Sequence, residues 1–163
     1  MGMDVYGRQP INEAGAYFRN NVWWWRPLWN YCETQYPELT QTVTDGHSNS
    51  GDGLDAEQAL ALGKKLQQDI DSGVVAQYEK EYKEYLDSLP MSECKYCNST
   101  GVRYEKMVIN EGGTVPCATA PYTCNACNGD GKVKDWACSY PFAVENVQEF
   151  AKFLISSGGF NIW

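Results

Sequence analysis

The chain has 163 residues, is 43% hydrophobic and carries a formal charge of −8. That length suffices for one ordinary domain, or one domain carrying a small insert, and the acidity argues against nucleic-acid partners, whose phosphates need a basic surface. No apolar run approaches the roughly 20 residues of a membrane span, and the opening MGMDVYGRQP has neither the basic start nor the apolar stretch of a secretory leader, so a cytoplasmic location without membrane attachment is expected.

Residues 1–22 are mixed, and a short helix near Asn12 to Arg19 is predicted, capped by Asn12 and weakened by Gly15. The run NVWWWRPLW follows, with Trp23, Trp24, Trp25 and Trp29. Pro27 suits a first helical turn, because its missing N–H would be unpaired there. A helix from about Pro27 to Tyr36 is therefore predicted, with Pro37 ending it. Large indoles read first as core. Half-exposed, they would form an aromatic platform for a partner, with Arg26 as an anion clamp or stacked cation.

Residues 40–54 form a polar, Gly-rich loop holding the one His of the chain, His47, beside Asp45, Asn49 and Asp52. The loop enters a helix whose start carries a capping box, Asp55 with Gln58, and whose apolar stripe is Ala59, Leu62, Leu66 and Ile70. Ser72-Gly73 stops it. Free N–H groups at that helix start, with His47, Asn49 and Asp52, make the loop the best candidate for a small-ligand site. The plain alternative is a capped structural loop. A second helix is predicted from Val74 to Leu89, with Val75, Tyr78, Tyr82, Tyr85 and Leu89 on one side and i,i+4 charge pairs opposite.

Next come CKYCNSTG (Cys94 to Gly101) and CNACNGDG (Cys124 to Gly131), the strongest chemical signal in the chain. Two Cys-x-x-Cys pairs supply four thiolates, Cys94, Cys97, Cys124 and Cys127, the donor set of one structural tetrahedral Zn²⁺. The trailing glycines permit the positive φ that turns each knuckle. The intervening 26 residues are long enough for a hairpin: a strand over Val102 to Ile109, a turn at Glu111-Gly112-Gly113 and a returning strand over Lys132 to Trp136. The segment is near neutral, with Lys95, Arg103, Lys106, Lys132 and Lys134 against Glu105, Glu111, Asp130 and Asp135. The other three cysteines, Cys32, Cys117 and Cys138, have no partner at ligand spacing. The odd total of seven argues against a disulfide framework. A last helix is predicted from Ala143 to Ser156, ended by Gly158-Gly159, with Phe160, Ile162 and Trp163 as a docked apolar tail.

These elements predict an α+β chain: a mainly helical, Trp-rich body (1–93 plus 136–163) with an inserted zinc-stapled β-hairpin (94–135). The knuckles resemble the cysteine-rich zinc module of DnaJ-type chaperones, whose repeat is CxxCxGxG. The second matches it fully; in the first, Ser99 stands in a glycine position. Two repeats imply one zinc, and no His-Pro-Asp signature is present to carry the chaperone activity over. On MGMDVYG, FRNNVWWWRPLW, GHSNSGDGLDA and SYPFAVENVQEFAKFLISSGGF the whole chain resembles a family of bacterial and bacteriophage proteins. That resemblance implies a kind of source and a compartment, not a reaction.

Three functions are weighed. A closed S₄ site leaves no open position for substrate, so the expected function is a non-enzymatic zinc protein that binds another protein. In a phage setting it would inhibit a host or defence factor. The alternative is an enzyme or small-ligand binder using His47, Asn49 and Asp52 with Arg26 and Trp23, Trp24 and Trp25. No nucleophile motif or phosphate-binding glycine fingerprint accompanies it. Disulfide exchange through a CxxC is the third, disfavoured by the paired knuckles.

Overall fold

The structure is a computed structural model, described over residues 2–104 and 121–163. The chain forms two units, 1–87 with 139–163 and 88–138.

The first unit is built on a three-stranded antiparallel sheet and the helices that cover it. Strand β1 (Gly2–Gly7) lies between β2 (Tyr17–Asn21) and β7 (Phe160–Ile162). Val5 faces Phe18 on one side and Ile162 on the other. Alternation decides the faces: Met3, Val5, Phe18, Phe160 and Ile162 are buried, while Tyr6, Tyr17 and Arg19 face solvent. The predicted helix over 12–19 is not formed. Asn12 caps only a single 3₁₀ turn, Glu13–Gly15, and β2 follows. The predicted apolar tail is strand β7, and its Trp163 exchanges backbone hydrogen bonds with Asp4.

Helix α1 spans Val22–Gln35, five residues longer at its start than the sequence reading. The Asn21 side chain accepts the N–H groups of Trp23 (3.0 Å) and Trp24 (3.1 Å), which fixes the start before Pro27 is reached. Pro27 therefore sits inside the helix, where it removes one backbone hydrogen bond. Burial of Trp25, Leu28, Trp29, Tyr31 and Cys32 outweighs that loss. Each buried Trp alone is worth about 3–5 kcal/mol against alanine.

A short helix, α2 (Pro37–Thr40), leads into the 41–55 loop. Helix α3 (Ala56–Asp71) starts on the predicted capping box, with both Asp55–Gln58 bonds present, and buries Ala59, Leu62 and Leu66. Helix α4 (Val74–Ser88) buries Val75, with Tyr78 and Tyr82 packed at the core's edge, while Tyr85 is exposed. Helix α5 (Val144–Ser157) buries Val147, Phe150, Ala151, Phe153 and Leu154, and Gly158 ends it in the left-handed conformation. The core is strongly aromatic. Trp25 and Trp29 stack with centroids 5.6 Å apart and planes 6° apart, and Phe150 meets both edge-on.

In the second unit, β3 (Ser92–Glu93) pairs with β6 (Lys132–Val133), and β4 (Val102–Arg103) pairs with β5 (Tyr122–Thr123), both antiparallel. Residues 105–109, the Glu111-Gly112-Gly113 turn and Cys117 lie outside the described residues. The returning strand is shorter than predicted: a 3₁₀ turn begins at Trp136. The chain as a whole is α+β, with five helices and small antiparallel sheets. No helix among the described residues is long and apolar enough to cross a membrane.

Candidate metal centre

The two knuckles obey one pattern at an offset of 30 residues. Cys94 matches Cys124, Cys97 matches Cys127, Asn98 matches Asn128, Ser99 matches Gly129, and Gly101 matches Gly131. The backbone follows suit. Asn98 and Asn128 have φ of 49° and 52°, Ser99 and Gly129 of 62° and 92°, and Gly101 and Gly131 of 75° and 71°. In each knuckle the N–H of the last glycine points at the second sulfur: Gly101 N to Cys97 Sγ and Gly131 N to Cys127 Sγ, both 3.3 Å.

Each knuckle is completed by the other. Cys94 N donates to Gly131 O (2.9 Å) and Cys124 N donates to Gly101 O (2.8 Å). The strand entering one knuckle pairs with the strand leaving the other. The glycines are required by proximity as well as by φ. A Cβ on Gly101 would lie 2.1 Å from Gly129 O, and one on Gly131 would lie 2.3 Å from Ser99 O.

This crossed arrangement brings four buried sulfurs together. The Sγ atoms of Cys94, Cys97, Cys124 and Cys127 all lie within 4.8 Å of one another, and this set could hold a metal ion. Cys94–Cys124 is 3.9 Å and Cys97–Cys127 is 3.7 Å, far beyond the roughly 2.05 Å of a disulfide. Burial pushes the Cys97 thiol up, but the Gly101 N–H and the three neighbouring thiols carry it below its ordinary value, to about 7. Burial and the neighbouring sulfurs push Cys127 up to about 11 against the opposing Gly131 and Gly129 N–H groups. One proton leaves this cluster readily, and the negative charge left behind makes the next loss harder. A cation among the four sulfurs reverses that order of preference.

The loop residues are placed differently. Burial raises the Asp52 pKa, but N–H groups of Asp45, Gly53 and Thr44 and the Thr44 hydroxyl bond its carboxylate and bring it below its usual range. The Asn49 amide donates to Gly2 O (3.1 Å). His47 Nε2 meets Glu33 Oε2 at 3.3 Å, and the other oxygen of Glu33 accepts the Trp29 indole N–H at 2.8 Å. His47 Nδ1 is buried without a partner. The Trp25 indole donates to Gly46 O (2.8 Å), and a Cβ on Gly46 would lie 2.2 Å from Trp29 Nε1. The loop is thus moulded onto the α1 indoles, and its polar groups serve that fit.

Arg26 lies elsewhere. Its guanidinium stands 5.9 Å from the Tyr140 ring centroid, and Trp23 also meets Tyr140, at 5.0 Å. No hydrogen bond, ion pair or ring contact joins Arg26 to His47 among the described residues. The tryptophans divide: Trp25 and Trp29 are core, while Trp23 and Trp24 are half-buried. Cys32 is fully buried, and burial with the adjacent Glu33 charge pushes its thiol well up, which makes it inert packing. Cys138 is half-buried, outside the four-sulfur set. The sequence reading assigned the knuckle glycines a turn role only; the 30-residue offset was the signal that Gly101 and Gly131 also bond the sulfurs. Glu33 as the partner of His47 left no such trace.

The site defines a buried four-cysteine metal-binding module on an α+β chain. No protein-family model matches the chain, and neither a curated protein nor a solved structure does.

Proposed function

We propose that the chain is a non-enzymatic zinc protein that binds another protein, with one Zn²⁺ held by Cys94, Cys97, Cys124 and Cys127 as a structural staple. A tetrahedral ion with Zn–S bonds of about 2.3 Å has S–S edges of roughly 3.8 Å, and the two measured cross-knuckle edges are 3.9 and 3.7 Å. All four positions are then taken by sulfur, so the ion supplies folding energy rather than a reaction centre. Free thiols in this number suit the reducing cytoplasm.

The observation that carries the partner reading is what this unit exposes. Tyr96, Tyr104 and Trp136 are each about two-thirds exposed, with Met91 half exposed. Aromatic rings and Met are the residues that protein interfaces favour. Arg103 stands 5.9 Å over the Tyr96 ring and bonds Asn125, so that part of the surface is already ordered. The resemblance to bacterial and phage proteins, with the acidic charge, supports a partner among host or defence factors.

Native mass spectrometry of the purified chain tests the metal: one zinc is expected, and no bound metal with four rapidly alkylated thiols refutes it. Affinity capture from bacterial lysate with identification of the bound protein tests the partner. A partner retained equally by wild type and Tyr96→Ala/Tyr104→Ala contradicts the assignment of the surface.

A further inference from the structure

Trp24 is the indole of the α1 run that neither the core nor Tyr140 absorbs. It lines a pocket of about 350 Å³ with Asn20, Ala143, Glu145, Asn146 and Glu149. The floor is pinned. Asn20, on β2 and buried, donates from Nδ2 to Asn146 Oδ1 at 2.7 Å, and Asn146 Nδ2 reaches the Trp24 carbonyl oxygen at 3.4 Å. Glu145 and Glu149 stand one turn apart on α5. No basic side chain lines the pocket, and neither glutamate is ion-paired among the described residues. Like charges at i,i+4 destabilise a helix. Glu145 is compensated by the positive end of the α5 dipole, but Glu149, in the second turn, is not.

We propose that this pocket receives an arginine side chain of the protein partner; the inference rests on the partner-binding reading and names the chemistry of that partner. A guanidinium supplies what the pocket lacks. Its planar fork offers five N–H donors to two carboxylates, and its face stacks on an indole wall. A hard metal ion would need further converging oxygens, and the four cysteines are the one metal-holding group found among the described residues. A neutral ligand would leave both carboxylates uncompensated.

The test uses the zinc-loaded full chain, ¹⁵N-labelled, titrated with N-acetyl-arginine amide and, separately, with its uncharged isostere N-acetyl-citrulline amide. Saturable shifts of the Trp24 indole N–H and the Asn146 side-chain amide are expected with the arginine probe alone, weakening at least fivefold in high salt. Glu145→Gln/Glu149→Gln, which keeps the shape of both side chains, should abolish them. Equal response to the citrulline probe, or unchanged binding by the double variant, overturns the proposal. A protein partner captured equally by wild type and double variant also overturns it, while leaving the partner-binding reading intact. Arginine-probe binding with no capturable partner refutes that reading and supports the pocket chemistry.

Discussion

Gly101→Ala separates backbone strain from close approach in the metal module. Gly101 has φ of +75°, so an L-residue there costs about 1–2 kcal/mol from conformation alone. Its Cβ would also lie 2.1 Å from Gly129 O, so one backbone must retreat by about 1 Å or more. That movement breaks the 2.8 Å bond from Cys124 N to Gly101 O, worth about 0.5–1.5 kcal/mol. The expected loss is about 2–3.5 kcal/mol, roughly 30- to 400-fold in apparent metal affinity because binding and folding of the module are coupled. Competition with a chromophoric chelator measures it. Gly73→Ala is the comparison. Gly73 has φ of +81° but nothing within 4 Å of the added carbon, so only the conformational cost applies, read from a urea transition of the body. A Gly101→Ala affinity within threefold of wild type would refute the crossed-knuckle argument.

Ser99→Gly should do the reverse. It relieves a left-handed serine at the cost of about 0.5–1 kcal/mol of added chain entropy, a net gain of two- to fivefold in metal affinity in the same competition; a decrease contradicts it. Cys94→Ser should loosen 88–138 while the helical circular dichroism of 1–87 with 139–163 persists, and collapse of that signal would mean the two units do not fold independently. Asp52 has a folded-state pKa below its unfolded value, so its contribution is full above the ordinary carboxylate range and is lost as pH falls through the lower folded pKa. Asp52→Asn should therefore lower the urea midpoint at pH 7 and leave it nearly unchanged at about pH 2; an equal drop at both would exclude the linkage.

Local signals were legible and distant ones were not. Asp55 and Gln58 announce the start of α3 within four residues, and the bonds form as read. The cysteine pairs likewise show their donor set by spacing alone. The start of α1 was misplaced because Pro27 is a familiar first-turn residue, whereas the operative signal was Asn21, whose side chain caps two N–H groups. That error hid the sorting of the tryptophans, which follows from helical phase once the start is known. The sheet escaped because β1 and β7 lie at opposite ends of the chain, and β1 is a short strand flanked by glycines. The Trp24 pocket needs residues some 120 positions apart, which no local pattern relates.

The stacked indoles of the core have an optical consequence. Two nearly parallel chromophores 5.6 Å apart couple their transitions, so Trp25 and Trp29 should give a paired ultraviolet dichroism band that vanishes when the body melts. Trp136 is the one tryptophan of the 88–138 unit, and it is solvent-exposed. Its red-shifted emission can be followed separately. The chain therefore carries two built-in reporters, one for each unit, and chelation and heating can be resolved without any added label.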